Sequence, residues 1–85
     1  MIIEETKLEN TDYPAFKEYN VRIKKVEDRR YVVECKYGRI GNAINTNIYP
    51  KTGNYTIYEA QDMAATVIKK KIKKGYVKAW KKTTL

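Results

Sequence analysis

The clearest feature of the chain is a change of hydrophobic period part-way along it. From Tyr19 the sequence alternates, with Tyr19, Val21 and Ile23 on one side and Asn20, Arg22 and Lys24 on the other. Successive side chains of a strand point to opposite faces, so this pattern of β-branched and aromatic residues predicts a half-buried strand. Glu27-Asp28-Arg29-Arg30 reads as a charged turn, after which Tyr31, Val33, Cys35 and Tyr37 alternate with polar neighbours. Two such runs across a short polar turn predict an antiparallel hairpin. Gly38-Arg39-Ile40-Gly41-Asn42 closes the second strand, where paired glycines suit a tight backbone path. A third strand is expected from Ile44 to Tyr49, followed by a turn at Pro50-Lys51-Thr52-Gly53.

Beyond that turn the period lengthens. Ala60, Met63, Ala64, Val67, Ile68 and Ile72 recur at the spacing of an amphipathic helix. Thr56 and Glu59 fit a capping box, with Thr56 at the N-cap. Lys69 to Lys74 complement the negative end of the helix dipole, and Gly75 suits the left-handed position that ends a helix. The first sixteen residues are mixed. Thr6 to Glu9 reads as a short edge strand, and Asn10 to Pro14 as a loop. Residues 80–85 read as a basic tail. The expectation is one α+β domain over residues 1–85 with its core in 17–79: an antiparallel sheet of about four strands, with one long amphipathic C-terminal helix packed on it.

Composition narrows the function. A chain of 85 residues buries only a little more than ~60% of its extended surface, which leaves little room for a deep enclosed active site. It contains no histidine, no serine and a single cysteine, Cys35. Zinc sites built from Cys and His, and Ser-His-Asp or Cys-His catalysis, are therefore excluded. A non-enzymatic module is expected, with no cofactor and no metal. Cys35 falls mid-strand on the apolar side and reads as a buried, inert thiol. No apolar run is long enough to span a membrane, and the N-terminus lacks the pattern of a secretory signal. A cytoplasmic location is expected, with nucleoid association as a variant of it.

Charge points to a partner. Residues 1–35 hold seven Lys/Arg against eight Asp/Glu, a balance of −1, whereas residues 36–85 hold eleven against two, a balance of +9. Such asymmetry is the footprint expected for a polyanion, although lysines also solubilise a small domain. Lys69, Lys70, Lys73 and Lys74 flank the apolar stripe of the helix. They are either a solvated face or a cationic ridge for phosphates. Trp80, the only tryptophan, sits among lysines. It either packs on the fold or meets a partner.

The run Tyr31-Val32-Val33-Glu34-Cys35-Lys36-Tyr37-Gly38-Arg39-Ile40-Gly41 resembles the signature of WGR domains, in which aromatic and apolar residues precede Trp-Gly-Arg, Ile or Val, and Gly. Tyr19 to Ile23 resembles the first core strand of that family, and Lys73-Lys74-Gly75-Tyr76-Val77 the close of its long helix. The resemblance implies a sheet with one helix across it. It also implies DNA-end contacts or bridging between neighbouring domains, as in poly(ADP-ribose) polymerases that sense DNA breaks. There the motif Trp packs on a terminal sugar and the motif Arg contacts DNA or another domain. Tyr37 stands at the Trp position, followed by Gly38 and Arg39, with Gly41 beyond. The change to Tyr offers a smaller stacking face.

The expected function is recognition of nucleic acid backbone or ends, DNA ahead of RNA, with little sequence specificity. The expected contacts are Tyr37, Gly38, Arg39, Lys36, Arg22, Lys69, Lys70, Lys73 and Lys74. The alternative is a protein-interaction or interdomain module, and no membrane partner is expected. A structural role for the Tyr-Gly-Arg corner, with the aromatic closing one end of the core, stays open from sequence.

Overall fold

The computed structural model describes residues 1–84. Five strands and one helix follow in the order β1 (Ile2–Asn10), β2 (Lys17–Glu27), β3 (Arg30–Arg39), β4 (Asn42–Tyr49), α1 (Ile57–Lys73) and β5 (Val77–Thr83). The strands form one antiparallel sheet in the order β4-β3-β2-β1-β5.

This arrangement corrects the expectation of about four strands under one long C-terminal helix. The sheet has five strands, and the helix has 17 residues, touches β2 and β3, and is followed by a further strand. Both surprises lie at the chain ends. β1 runs the length of β2 and sits between β2 and β5, so it is not an edge. Its apolar positions are irregular because a register shift between Ile2 and Glu4 interrupts the alternation and admits Ile3 to the core. β5 takes in the end of the expected core, from Val77, and most of the residues 80–85 expected as a basic tail. Every residue of that strand is exposed, so its sequence carries no alternation of burial to read.

The hairpin fixes the core. Pairing of Tyr19 with Tyr37, Val21 with Cys35 and Ile23 with Val33 puts these side chains on one face, and pairing of Thr6 with Val21 and Leu8 with Tyr19 extends that face across β1. Leu8, Ile23, Val33, Thr6 and Cys35 are the largest fully buried side chains. Each large apolar side chain buried here contributes roughly 1.5–3 kcal/mol. The helix adds Ala60, Ala64 and Val67 to the same cluster. Small residues at these positions let the helix backbone approach the sheet.

The ends of α1 are set locally. Thr56 and Glu59 form the reciprocal capping box, with the Glu59 N–H donating to Thr56 Oγ1 at 3.2 Å and the Thr56 N–H donating to Glu59 Oε1 at 2.9 Å. At the other end Gly75 adopts φ 103°, its N–H donates to Ile72 O, and the Tyr76 N–H donates to Lys71 O. That pair of bonds closes the helix and turns the chain into β5. Tyr76 then meets Tyr19 edge-on, with centroids 6.2 Å apart.

Gly38 stands where the backbone of β4 leaves no room for a side chain. It has φ 154°, and a Cβ there would lie 2.8 Å from the backbone oxygen of Asn42. Replacing Gly38 with Ala is expected to destabilise the fold by about 1–3 kcal/mol, since the main chain of β4 must move to admit a methyl group. Urea denaturation checks this; a variant as stable as wild type would show that β4 yields freely.

Candidate nucleic-acid interface

The sequence expected its cations to gather around the Tyr37-Gly38-Arg39 corner. The structure separates them onto two faces. Arg22 and Lys36 belong to the alternate positions of β2 and β3, on the face away from α1. Ion pairs occupy that face. Arg22 bonds Glu5 through Nε and lies 3.4 Å from Glu34, while Lys24 lies 3.2 Å from Glu34 and Lys7 lies 3.5 Å from Glu18. Glu18 and Glu34 are buried among these partners. Burial opposes the Arg22 charge, but its bonds to Glu5 and then Glu34 outweigh that and raise its pKa. Arg22 is thereby committed within the fold. Lys36 is half-buried, and its carbonyl oxygen accepts a bond from Asn20 at 3.3 Å.

Tyr37 is committed as well. Its ring stacks on Tyr19, with centroids 5.2 Å apart and planes 16° apart, and its hydroxyl accepts from Asn47 Nδ2 at 3.4 Å. One face of the ring is covered, so the side chain closes the end of the core. Arg39 is exposed and stands opposite Lys17 in the β2–β3 register. The turn beyond it is clamped: Glu18 Oε2 accepts from the Gly41 N–H at 3.2 Å, and the Ile40 N–H donates to Phe16 O at 3.1 Å.

The helix lysines divide between two hollows flanking α1. The larger is an open groove of about 610 Å³ between α1 and the β1–β5 flank of the sheet. It exists because α1 lies over β2 and β3 and leaves β5, every residue of which is exposed, uncovered beyond the buried β1 residues Ile3, Thr6 and Leu8. Ala64, Ala65, Ile68 and Ile72 give it an apolar wall, while Lys69 and Lys73 from the helix and Lys78 and Lys81 from β5 line it with charge. Among the described residues, the one acidic residue lining it is Glu4, 3.3 Å from Lys81.

The smaller hollow, of about 170 Å³, lies on the other flank and is lined by Lys70, Lys71 and Lys74 beside Tyr19 and Tyr49. Lys71 Nζ lies 4.5 Å from the centroid of the Tyr19 ring. Burial lowers the pKa of Lys71, and the nearby Lys74 and Lys17 charges lower it further, against an opposing pull from Cys35. Unbalanced positive charge thus runs from the groove around the C-terminal end of α1 toward Lys17 and Arg39.

Sequence reasoning missed Lys71, Lys78, Lys81 and Lys17. Lys71 had a signal, because it follows Ala60, Ala64 and Val67 on the buried stripe at helical spacing. Lys78 and Lys81 had none, because no strand was expected beyond the helix. Trp80, expected to pack or to meet a partner, is 43% exposed on β5 and stands opposite Lys7, on the face away from α1.

Fold and surface together define a small antiparallel α+β domain with one helix and a basic groove beside it. No family model matches the chain, and comparison with curated proteins and with solved structures finds no match. The likeness to WGR domains therefore rests on the quoted residues alone. Among the described residues, no helix is long and apolar enough to cross a membrane.

The Glu18 clamp has a pH signature. Burial would raise its carboxyl pKa, but the Gly41 N–H, Asn20 and Lys7 outweigh that, and the pKa lies below the ordinary 4.5. A lowered carboxyl pKa stabilises the fold above the unfolded value and ceases to do so as pH falls through the folded value. Glu18→Gln should therefore be less stable than wild type at neutral pH, and the gap should shrink once pH drops below 4.5. Denaturant titrations across that range provide the check; a gap independent of pH would contradict the clamp.

Proposed function

We propose that the chain is a non-catalytic nucleic-acid-binding module that holds a phosphate backbone against its helix side, DNA ahead of RNA. The observation that carries this reading is the groove of about 610 Å³ with Lys69 and Lys73 on one wall and Lys78 and Lys81 on the other. Two rows of flexible cations facing across an open channel suit a rod of repeated negative charge. Lys70, Lys71, Lys74 and Arg39 extend the attraction around the end of α1. Phosphate contacts position a protein without reading bases, so little sequence specificity follows. DNA-end recognition fits the exposed Arg39 corner, and such a role places the protein in the cytoplasm or on the nucleoid. Tyr37 supports that corner from within, and Arg22 and Lys36 lie on the other face.

A second reading, a protein-interaction module, has one observation in its favour: the exposed Trp80 on an edge strand. Salt separates the two, because screening weakens phosphate contacts and leaves an apolar interface intact.

Titration of a fluorescent duplex at several salt concentrations is the test. On duplex DNA, log K should fall with log salt by about 0.9 per phosphate neutralised. Replacing Lys69 and Lys73 together with Gln should weaken binding and lower that slope by about 1 per lysine, whereas Lys36→Gln should change neither. A folded wild-type protein that fails to bind at low salt would reject the reading. A groove variant that binds like wild type would reject the site.

A further inference from the structure

The two edges of the sheet are unlike. The β5 edge carries Lys78, Lys81 and Lys82, and its pairing with β1 is broken by a register shift between Lys7 and Leu8. Charges and irregularities of this kind keep an open edge from pairing with another chain. The β4 edge has no charge along its length: Asn42–Tyr49 holds no Lys, Arg, Asp or Glu and no proline. In a chain that is 33% charged, an eight-residue strand without charge lacks that protection, its one irregularity lies at the Asn42 end, and its outer side has no partner among the described residues.

The sequence of that strand also reads the same in both directions. Ile44-Asn45-Thr46-Asn47-Ile48 is a palindrome about Thr46. In an antiparallel pair of identical strands related by a two-fold axis, residue i of one copy meets j of the other and j meets i. An axis beside Thr46 therefore sets Thr46 against Thr46, Asn45 against Asn47 and Ile44 against Ile48. Ile44 and Ile48 are 76% and 46% exposed in the single chain, and Thr46 is exposed. Like meets like along the whole run, and β-branched residues directly opposite one another stabilise a ladder. The β3–β4 register shifts between Tyr37 and Arg39, so Asn45–Tyr49 is the regular part of the strand and Ile44 lies at its end.

Charge selects the same edge. A chain of net charge +8 repels its own copy, and the groove cations lie on the β5 side of the sheet, at the opposite end of the strand order from β4. Contact through β4 keeps the two grooves far apart, with Lys36 beside Thr46 and the hollow of Lys70, Lys71 and Lys74 beside Tyr49 as the cations nearest the seam, whereas contact through β5 would set Lys78, Lys81 and Lys82 of the two copies against one another. We infer that β4 is the interface of a symmetric homodimer, in which Ile44–Ile48 of two copies pair antiparallel about Thr46 and join the two sheets into one. A two-fold axis normal to the sheet leaves both helices on the same face, with a basic groove toward each end of it. The inference does not depend on the proposed nucleic-acid binding.

Sedimentation equilibrium tests it on the full chain. Wild type is expected at twice the monomer mass at high micromolar concentration, with tighter association as salt screens the like charges. Thr46→Lys and Ile44→Lys, each placing a cation at an exposed position of the interface, are expected to sediment as monomers with unchanged circular dichroism. Trp80→Lys on the other edge should remain dimeric. Amide exchange on wild type gives an independent measure: protection of β4 amides should rise with protein concentration while that of β5 stays constant. A wild type that is monomeric at high concentration and high salt, or a dimer indifferent to both lysine substitutions, would overturn the proposal. Concentration-independent exchange at β4 would overturn it equally. Loss of DNA binding with the dimer intact would count against the basic groove alone.

Discussion

One helix of 17 residues cannot cover a sheet of five strands. Most of the surface described here follows from that mismatch. Burial is gained where α1 meets β2 and β3 through Ala60, Ala64 and Val67, against Val21, Ile23, Val33 and Cys35. Beyond the buried residues of β1 the sheet continues into β5, which is left open on the helix side, and Lys78 and Lys81 with Glu4 become one wall of the groove. The Schellman bonds at Gly75 and Tyr76 reverse the chain so that β5 runs back beside β1. Lys78 and Lys81 are thereby carried to within one groove of Lys69 and Lys73.

The second consequence is electrical. The face away from α1 has no helix to bury it, and it is covered instead by long side chains paired across strands: Glu5 with Arg22, Glu34 with Arg22 and Lys24, and Glu18 with Lys7. These pairs use three of the eight acidic residues of the first half of the chain, the three that lie deepest among their partners. The lysines of the second half have few acids to meet, because Glu59 and Asp62 sit at the far, N-terminal end of α1. The balance of −1 in one half and +9 in the other therefore becomes a paired face and an unpaired side. The proposed polyanion would meet that side, and a phosphate near Lys71 would relieve the repulsion from Lys74 and Lys17 that adds to burial in lowering its pKa.

The hairpin and the helix were legible because each buries one face and alternates accordingly. The capping box at Thr56 and Glu59 and the stop at Gly75 were legible because they are local chemistry. The ends of the chain were not. In β1 the apolar residues Ile3 and Leu8 stand five positions apart across a shifted register, with the buried Thr6 between them, and neither a period of two nor one of 3.6 residues emerges. In β5 nothing is buried, so composition alone remained, and composition there looks like a tail. The site was half legible for the same reason. Lys69, Lys70, Lys73 and Lys74 could be placed from the helical stripe, whereas Lys78 and Lys81 needed β5. Arg22 and Lys36 could be placed together on the polar faces of their strands from the alternation between Tyr19 and Tyr37, but that face lies opposite the helix, so they do not join its lysines.

The most direct measurement is an amide chemical-shift map of the folded protein titrated with a short DNA duplex at low salt. Shifts should concentrate on the C-terminal half of α1 and on β5, around Lys69, Lys73, Lys78 and Lys81, and should leave Arg22, Glu34 and Lys36 in place. Shifts centred on the ion-paired face, or none at all, would contradict the account.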